Sequence, residues 1–202
     1  MVKKLIVGIA VTLAATFAIA AKPVNDQSAP GFTGVTMTGE TISLADFRGQ
    51  PVILEWTNHE CPYVRKHYGS GNMQKTQRAV TEAGAIWISI ISSAPGEQGF
   101  VGAEEAQRLT AERGVYADHV ILDPEGEIGR LYEAKTTPHM FLIDQESVLK
   151  YQGAIDDKPS ANPRSLEGAT NHVLSAWAEF SAGEEIKTAQ TKPYGCSVKY
   201  AQ

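Results

Sequence analysis

Short apolar runs alternate with amphipathic segments along most of the chain. Four runs have the length and apolar content of buried strands: Val52 to Trp56, Ala85 to Ile91, His119 to Leu122 and His139 to Ile143. Helical patterns are predicted at Pro62 to Ala83 (interrupted at Gly69-Ser70-Gly71), Ala103 to Arg113, Ile128 to Tyr132 and Ser165 to Ala182. Strands that alternate with helices predict an α/β domain with a central sheet and helices on both of its faces.

The segments around this alternating region predict hairpins and loops. Val35 to Ile42 is expected to form a hairpin that turns at its glycine, and Ser43 to Gly49 a helical turn closed by glycine. Ser147 to Gln152 is expected to pair antiparallel with the strand before it, which makes the sheet mixed. Lys22 to Pro30 is interpreted as a loose leader, and Gly183 to Gln202 as a tail.

The first twenty residues have the layout of a cleavable secretory signal peptide. A short basic start precedes an apolar run from Leu5 to Ile19, and Ala18-Ile19-Ala20 fits a small-residue cleavage site. The run is shorter than the roughly 20 residues of a comfortable membrane span, although a retained anchor is the alternative. We therefore expect a signal peptide at residues 1–20, one domain at residues 21–202, no other membrane segment, and a periplasmic or secreted protein.

Charge and cysteine count narrow the function classes. The chain carries 18 Lys and Arg against 23 Asp and Glu, a formal net charge of −5. That balance argues against nucleic-acid binding, which needs clustered basic residues. The two cysteines, Cys61 and Cys196, both belong to the exported part. An even number in an oxidising compartment predicts a disulfide, either a structural bridge or a redox-active pair.

The surroundings of Cys61 favour the redox interpretation. An apolar strand ends shortly before it, and Pro62 suits the first turn of a helix, because the missing N–H of proline costs nothing there. Cys61 is then the helix N-cap, with its sulfur beside unpaired N–H groups and the positive end of the helix dipole. Such a site lowers a thiol pKa from about 8.5 and favours the thiolate, which is the reactive form.

A second informative motif is Thr136-Thr137-Pro138, directly before the strand that begins at His139. Proline cannot donate to a β-ladder, so it belongs at a strand start or in a turn. A cis peptide bond at Pro138 would let the backbone of Thr137 face a nearby ligand or thiol. Together with the earlier strand–Cys–Pro–helix unit, this motif strengthens the prediction of a thiol redox site.

These motifs together resemble the thioredoxin-like superfamily, in particular its redoxin branch, the alkyl hydroperoxide reductase and thiol-specific antioxidant (peroxiredoxin-like) group. The resemblance rests on these segments: Ser43 to Val52, Asn58 to Val64, Thr137 to Asp144, Tyr151 to Asp157 and Gly195 to Lys199. It implies a thioredoxin-like fold, with Cys61 as the attacking cysteine and Thr137-Pro138 as the cis-proline segment that faces it. The implied chemistry requires no organic cofactor and no metal.

The sequence departs from these families at two places. Thioredoxins carry a second cysteine three residues after the first, where this chain has Val64, so a local Cys-x-x-Cys oxidoreductase is excluded. Typical peroxiredoxins carry proline seven residues and threonine or serine three residues before the attacking cysteine. Here those positions are Leu54 and Asn58, with Thr57 one place away. The peroxide-binding hydroxyl is thus expected to be misplaced or replaced by the Asn58 amide.

Polar residues near Cys61 supply further candidates. Glu55 lies in an apolar strand at a position where thioredoxins keep a buried carboxylate. It is expected to act as a proton relay beneath the sulfur or to be a strand-end charge that reaches solvent. Arg65, one turn into the helix, is a candidate to hold the thiolate or an anionic oxygen. His59 and His67 are poorly spaced for binding copper or zinc with Cys61 and are interpreted as solvated.

The sequence therefore predicts an exported thiol oxidoreductase, with peroxide reduction as the leading hypothesis. Cys61 attacks the peroxide, Cys196 condenses with the resulting sulfenic acid within the chain or across a dimer, and an external dithiol reduces the disulfide. Two alternatives stay open. One is thiol–disulfide exchange with exported proteins through Cys61. The other is a stably bridged, non-enzymatic module that binds a partner protein or copper.

Overall fold

The fold comes from a computed structural model in which residues 22–201 are described, so the expected signal peptide lies outside the described residues. The strands are β1 (Thr33–Thr36), β2 (Thr41–Ser43), β3 (Val52–Trp56), β4 (Ile86–Ile91), β5 (His119–Leu122), β6 (Thr136–Thr137), β7 (His139–Ile143), β8 (Leu149–Gly153) and β9 (Cys196–Ser197). The helices are α1 (Pro62–Gly69), α2 (Asn72–Thr81), α3 (Ala103–Glu112), α4 (Glu127–Leu131) and α5 (His172–Ser181), with 3-10 turns at Leu44–Phe47 and Pro163–Leu166. None of the helices within residues 22–201 is long and apolar enough to cross a bilayer.

Seven strands form one mixed sheet in the order β2-β1-β5-β4-β3-β7-β8, and β6 and β9 form a separate pair. The strands β3, β4 and β5 are parallel, because α1 with α2 and then α3 provide the crossovers between them. β1 is antiparallel to β5, β7 is antiparallel to β3, and β8 is antiparallel to β7. The predicted mixed sheet is therefore confirmed, and β3, which leads into Cys61, lies inside it.

The sheet separates two apolar cores. All five residues of β3 are buried, which explains why this strand is a continuous run rather than an alternating one. Leu54 and Trp56 face one core, where they pack with Tyr132 at the end of α4. Ile53 faces the other core, to which α1, α2 and α5 contribute and which includes Cys61. Helices thus lie on both faces, as predicted.

The break in the long helical pattern is confirmed, and the start of the last helix is corrected. Gly71 adopts a φ of +76° between α1 and α2, a conformation that glycine accepts readily. The last helix begins at His172 rather than at Ser165. Asn171 ends the preceding loop by accepting a hydrogen bond from the Leu174 N–H at 3.0 Å, which is an N-cap interaction.

The segment from Lys22 to Pro30 is not loose, contrary to the expectation. Its backbone runs beside β8 and pairs with it. Asp26 N–H donates to the Leu149 carbonyl and Ala29 N–H to the Ser147 carbonyl, each at 2.8 Å. The Ala29 side chain also packs in the core that contains Leu54 and Trp56. The leader is therefore part of the folded domain.

Candidate active site

Cys61 is the N-cap of α1, as the sequence predicts. Its backbone is extended, Pro62 occupies the first helical turn, and the Cys61 carbonyl accepts from the Arg65 N–H at 2.9 Å. The Cys61 N–H donates to the Asn58 carbonyl at 3.1 Å, which closes the turn between β3 and the helix. The sulfur therefore lies at the beginning of a helix, where the backbone dipole favours negative charge.

The segment that faces this sulfur is Thr137-Pro138, whose peptide bond is cis. In its thiol form, Cys61 Sγ donates to the Thr137 carbonyl at 3.1 Å. The Thr137 hydroxyl is buried and has no hydrogen-bond partner among the described residues. Thr137 nevertheless acts to lower the pKa of Cys61. The contact between this segment and the cysteine is thus made through the Thr137 carbonyl.

Cys196 completes the site from the C-terminal tail. It lies in β9, where it is the direct antiparallel partner of Thr137. This pairing brings Cys196 next to the segment that Cys61 contacts, and Cys196 packs against the apolar cluster that includes Cys61. Each thiol influences the pKa of the other. Both are free thiols in this structure. The expectation that the tail cysteine reaches Cys61 fits this arrangement, although the tail is a paired strand here rather than a loose arm.

The two thiols differ in acidity. Burial acts to raise the pKa of Cys61, but the nearby polar groups of Cys196, Thr137 and Val64 outweigh it and leave the pKa below its ordinary value. Burial raises the pKa of Cys196 to about 12, and the hydrogen bond to Cys61 adds to the rise. The pair therefore favours one thiolate on Cys61 and one thiol on Cys196.

The tail lies close to the segment that faces the Cys61 sulfur. Cys61 is 0% exposed, whereas Cys196 is only half-buried. Close contact between the tail and the cis-proline segment depends on Gly195, which has a φ of +144°. A Cβ at that position would lie 2.1 Å from the Thr137 carbonyl oxygen. The Cys61 sulfur is thus closed off from solvent in this structure.

The residues expected to hold a peroxide point elsewhere. Asn58 Oδ1 accepts from the Glu60 N–H at 2.9 Å and Asn58 Nδ2 donates to the Gln98 carbonyl at 3.0 Å, so both ends of the amide take part in fixing two loops. The buried Thr57 hydroxyl has no hydrogen-bond partner and lines a cavity of about 20 Å³, close to the volume that one water needs. Cys61 does not line that cavity.

Glu55 is fully buried, so the expectation of a strand-end charge in solvent is wrong. Its carboxylate accepts hydrogen bonds from four side chains: Tyr68, Gln77, Trp87 and Ser89. Burial raises the pKa of Glu55, while these donors and the nearby Arg113 oppose the rise. The carboxylate links β3 to β4, α1 and α2. Within the described residues, it has no hydrogen bond to the Cys61 sulfur.

The remaining candidates do not converge on the sulfur. Arg65 is exposed, and its Nε donates to the His59 carbonyl at 3.2 Å instead of binding Cys61. His67 is fully buried, so its interpretation as a solvated side chain is wrong. Among residues 22–201, no three His, Cys, Asp or Glu side chains are grouped so that they could hold a metal ion.

The sequence matches one known protein family. A family model described as AhpC/TSA matches residues 25–152, well over half of the chain. The chain belongs to the AhpC/TSA family. No curated protein matches it significantly.

Solved structures give the fold of this redoxin. A conserved protein from Geobacillus kaustophilus has a TM-score of 0.74 at 21% identity, over 89% of this chain and 93% of that one. The thioredoxin domain of a thiol-disulfide oxidoreductase from Bacteroides vulgatus has a TM-score of 0.51 at 20% identity, over 72% and 96%. A protein titled as a thiol:disulfide interchange protein DsbE, from Chlorobium tepidum, has a TM-score of 0.54 at 26% identity, over 76% and 98%. The redoxin thus has a thioredoxin-like fold and resembles thiol-disulfide oxidoreductases.

Sequence reasoning missed one part of the redoxin's site, a buried polar cluster beside the tail. Lys66 and His67 of α1 meet Asp156, which follows β8, and Tyr194 of the tail. Asp156 also accepts the Lys158 N–H at 2.9 Å, a local interaction typical of an aspartate in a turn. No local signal reveals the cluster, because Lys66 lies between Arg65 and His67 in α1 and resembles part of a solvated polar segment.

Proposed function

We propose that this redoxin exchanges disulfides with exported proteins through Cys61, with Cys196 as the second cysteine of the redox pair. The observation that carries the proposal is the placement of two free cysteines at one cis-proline segment, with Cys61 at the start of a helix and Cys196 paired with Thr137. The pKa values of the two thiols are shifted in opposite directions. Thiol–disulfide exchange needs a thiolate to attack and a second thiol to release the product. The pair supplies both.

The proposed exchange takes place in two successive attacks on sulfur. The Cys61 thiolate attacks one sulfur of a substrate disulfide and forms a mixed disulfide, and the first substrate thiolate leaves. Cys196 then loses its proton and attacks the Cys61 sulfur, so the second substrate thiolate leaves. Two electrons have passed to the substrate, and the redoxin holds a Cys61–Cys196 disulfide. An external dithiol reduces that disulfide and restores the starting state.

Export is part of the same proposal. Its support is the sequence of the first twenty residues, which has the basic start, apolar run and cleavage site of a signal peptide. Protein disulfides persist in oxidising compartments outside the cytosol, so an exported redoxin meets the substrate class that we propose. The DsbE-titled neighbour from Chlorobium tepidum is named for thiol:disulfide interchange, which agrees with this chemistry.

Peroxide reduction is the second candidate, and membership of the AhpC/TSA family favours it. In that case the Cys61 thiolate attacks a peroxide oxygen, the O–O bond breaks, and an alcohol or water leaves. Cys196 then condenses with the resulting sulfenic acid and releases a second molecule of water. The side chains at the peroxide-binding positions give it little support, because both ends of the Asn58 amide bind loop backbone and Thr57 lines a cavity that Cys61 does not line. A copper-binding module has less support, since no metal-binding group of side chains occurs within residues 22–201.

Trapping tests the proposal directly. A reduced Cys196→Ser chain, incubated with a disulfide-bonded, unfolded protein, is expected to accumulate a mixed disulfide on Cys61, which mass spectrometry identifies. A Cys61→Ser chain is the matched control and is expected to trap nothing. The same reduced preparations receive one equivalent of hydrogen peroxide. Rapid peroxide consumption that depends on Cys61, without any mixed disulfide, would refute the exchange function and favour the peroxidase.

A further inference from the structure

The tail that carries Cys196 is attached to the domain by a buried tyrosine hydroxyl. Lys66 is 1% exposed and Asp156 is 2% exposed, so both charges lie inside the protein. The Tyr194 hydroxyl lies between them: it accepts from Lys66 Nζ at 3.0 Å and donates to Asp156 Oδ1. The Tyr194 ring also packs edge-on against Tyr63, with ring centroids 5.7 Å apart.

The cluster is complete only while the tail is docked. The ammonium group of Lys66 has three donors, and all three are used, by Asp156 Oδ2 at 3.3 Å, by the Lys158 carbonyl at 3.0 Å and by Tyr194. Removal of the tyrosine hydroxyl leaves one buried N–H and one carboxylate oxygen without that partner. Buried charges that lose a hydrogen-bond partner are costly, which gives the tail a strong preference for its docked position.

His67 adds a fourth, neutral member to the cluster. Its Nδ1 faces the Asn72 side-chain amide at 2.8 Å, and its Nε2 faces the Tyr194 hydroxyl at 3.3 Å. Because Asn72 Nδ2 can only donate, Nδ1 accepts and Nε2 carries the proton that is donated to the tyrosine. The hydroxyl of Tyr194 thus has two donors and one acceptor around it, and its orientation is fixed.

The same tyrosine connects the two halves of the redox pair. Lys66 belongs to α1, the helix that Cys61 caps, whereas Tyr194 lies two residues before Cys196. Gly195, which stands between Tyr194 and Cys196, allows the tail to lie against the Thr137 carbonyl. The charged cluster therefore sets the position of the Cys196 segment relative to the helix that presents Cys61.

We propose that Tyr194 is a positioning residue for the redox pair: its hydroxyl, bound to Lys66 and Asp156, holds Cys196 over Cys61. This deepens the proposed function, because the docked tail raises the effective concentration of one thiol at the other and covers the attacking sulfur at the same time. Release of the hydroxyl exposes Cys61 to a substrate. Its return brings Cys196 back to resolve the mixed disulfide.

The test compares Tyr194→Phe with Tyr200→Phe in the full chain. Tyr200 is a matched control, because it lies on the other side of Cys196 in the same tail and its hydroxyl donates to the neutral Ala134 carbonyl at 2.8 Å. The first readout is the equilibrium between the dithiol and the Cys61–Cys196 disulfide in glutathione buffers, in which oxidised glutathione takes two electrons and becomes two thiols. We expect Tyr194→Phe to weaken disulfide formation about 10-fold or more, which is the effect of losing a hydrogen bond to charged groups.

The second readout is the rate at which iodoacetamide alkylates Cys61 in the Cys196→Ser background. We expect Tyr194→Phe to raise this rate about 10-fold and Tyr200→Phe to change it less than about threefold. Gly195→Ala supplies an independent variant, because its Cβ collides with the Thr137 carbonyl and lifts the tail without removing a buried partner. It is expected to raise the alkylation rate as well, and it keeps the test decisive if Tyr194→Phe does not fold.

Two results would overturn the positioning role. One is an equal effect of the two tyrosine variants. The other is a rate of Cys61 alkylation that is raised neither by Tyr194→Phe nor by Gly195→Ala. Both readouts use small thiols and a small alkylating agent and no protein substrate. They therefore remain informative if trapping shows that the redoxin does not exchange disulfides with proteins. Conversely, a trapped mixed disulfide together with unaffected Tyr194→Phe kinetics would support the function and refute the role of Tyr194.

Discussion

Mild acid is expected to destabilise this fold through two buried histidines. His67 and His139 are 0% and 4% exposed. Burial, reinforced by the positive charge of Lys66, lowers the pKa of His67 to about 4. Burial, reinforced by Lys135, lowers the pKa of His139 to about 3. An unfolded histidine has a pKa of about 6.5. Both side chains are therefore neutral in the folded protein at pH 5, where the unfolded chain holds them protonated.

The sign and size of the effect follow from proton linkage. Between pH 6.5 and pH 4 the unfolded state binds one more proton per histidine than the folded state, so the free energy of unfolding falls as the pH falls. At pH 5.0 the pKa of a histidine in the unfolded chain lies about 1.5 units above the solution pH. This difference lowers the free energy of unfolding by about 2 kcal/mol for each histidine. Together they remove about 4 kcal/mol, a large share of a typical domain stability of about 5–15 kcal/mol.

Urea unfolding at pH 7.5 and pH 5.0, under reducing conditions, measures this loss. His67→Gln keeps an amide donor for the Tyr194 hydroxyl, and His139→Gln removes the other titrating ring. Each variant is expected to lose about 2 kcal/mol less than the parent chain between the two pH values, and the double variant about 4 kcal/mol less. The reasoning is wrong if the free energy of unfolding of the parent chain falls by less than about 1 kcal/mol between the two pH values. It is also wrong if the variants keep the full pH dependence of the parent chain.

Three further substitutions test separate parts of the fold. Asn171→Ala removes the cap of α5 and is expected to lower the free energy of unfolding in urea by about 1–2 kcal/mol. Glu55→Gln places an amide among four donors and is expected to lower stability by about 1–3 kcal/mol. The pH profile of Cys61 alkylation should stay unchanged in that variant, and a shifted profile would restore the relay hypothesis. Gly153→Ala puts a Cβ 2.1 Å from Thr191 Oγ1 at a φ of +148° and is expected to lower the melting temperature by several degrees.

Much of the fold is predictable because its determinants are local. The run from Val52 to Trp56 is buried on both sides, and Cys61 and Pro62 mark the start of a helix by the backbone chemistry of those two positions alone. The Thr137-Pro138 motif becomes informative together with that unit, since proline within sheets is confined to edge strands, strand starts and bulges. What the sequence could predict is thus the order of the elements and the position of Cys61 at the start of a helix.

The remaining features depend on contacts between distant parts of the chain. Lys66 meets Asp156 and Tyr194 across 90 and 128 residues, and no local pattern shows that these polar groups pair inside the protein. Glu55 could be identified as unusual, but its four donors come from three other elements. The early prediction that His67 is solvated failed for the same reason. The tail covers a side of the helix that the sequence gives no reason to regard as buried.

The enclosure of Cys61 has a consequence for its chemical durability. Oxidation of a cysteine beyond the sulfenic acid gives sulfinic and sulfonic acids, which most cells do not reverse. Such overoxidation requires a second oxidant molecule to arrive before another thiol condenses with the first product. With Cys196 packed against the cluster that includes Cys61 and the Cys61 side chain closed off from solvent, condensation with loss of water competes strongly against that second encounter. The redoxin should therefore survive repeated oxidant bursts with its sulfur recoverable by an ordinary dithiol.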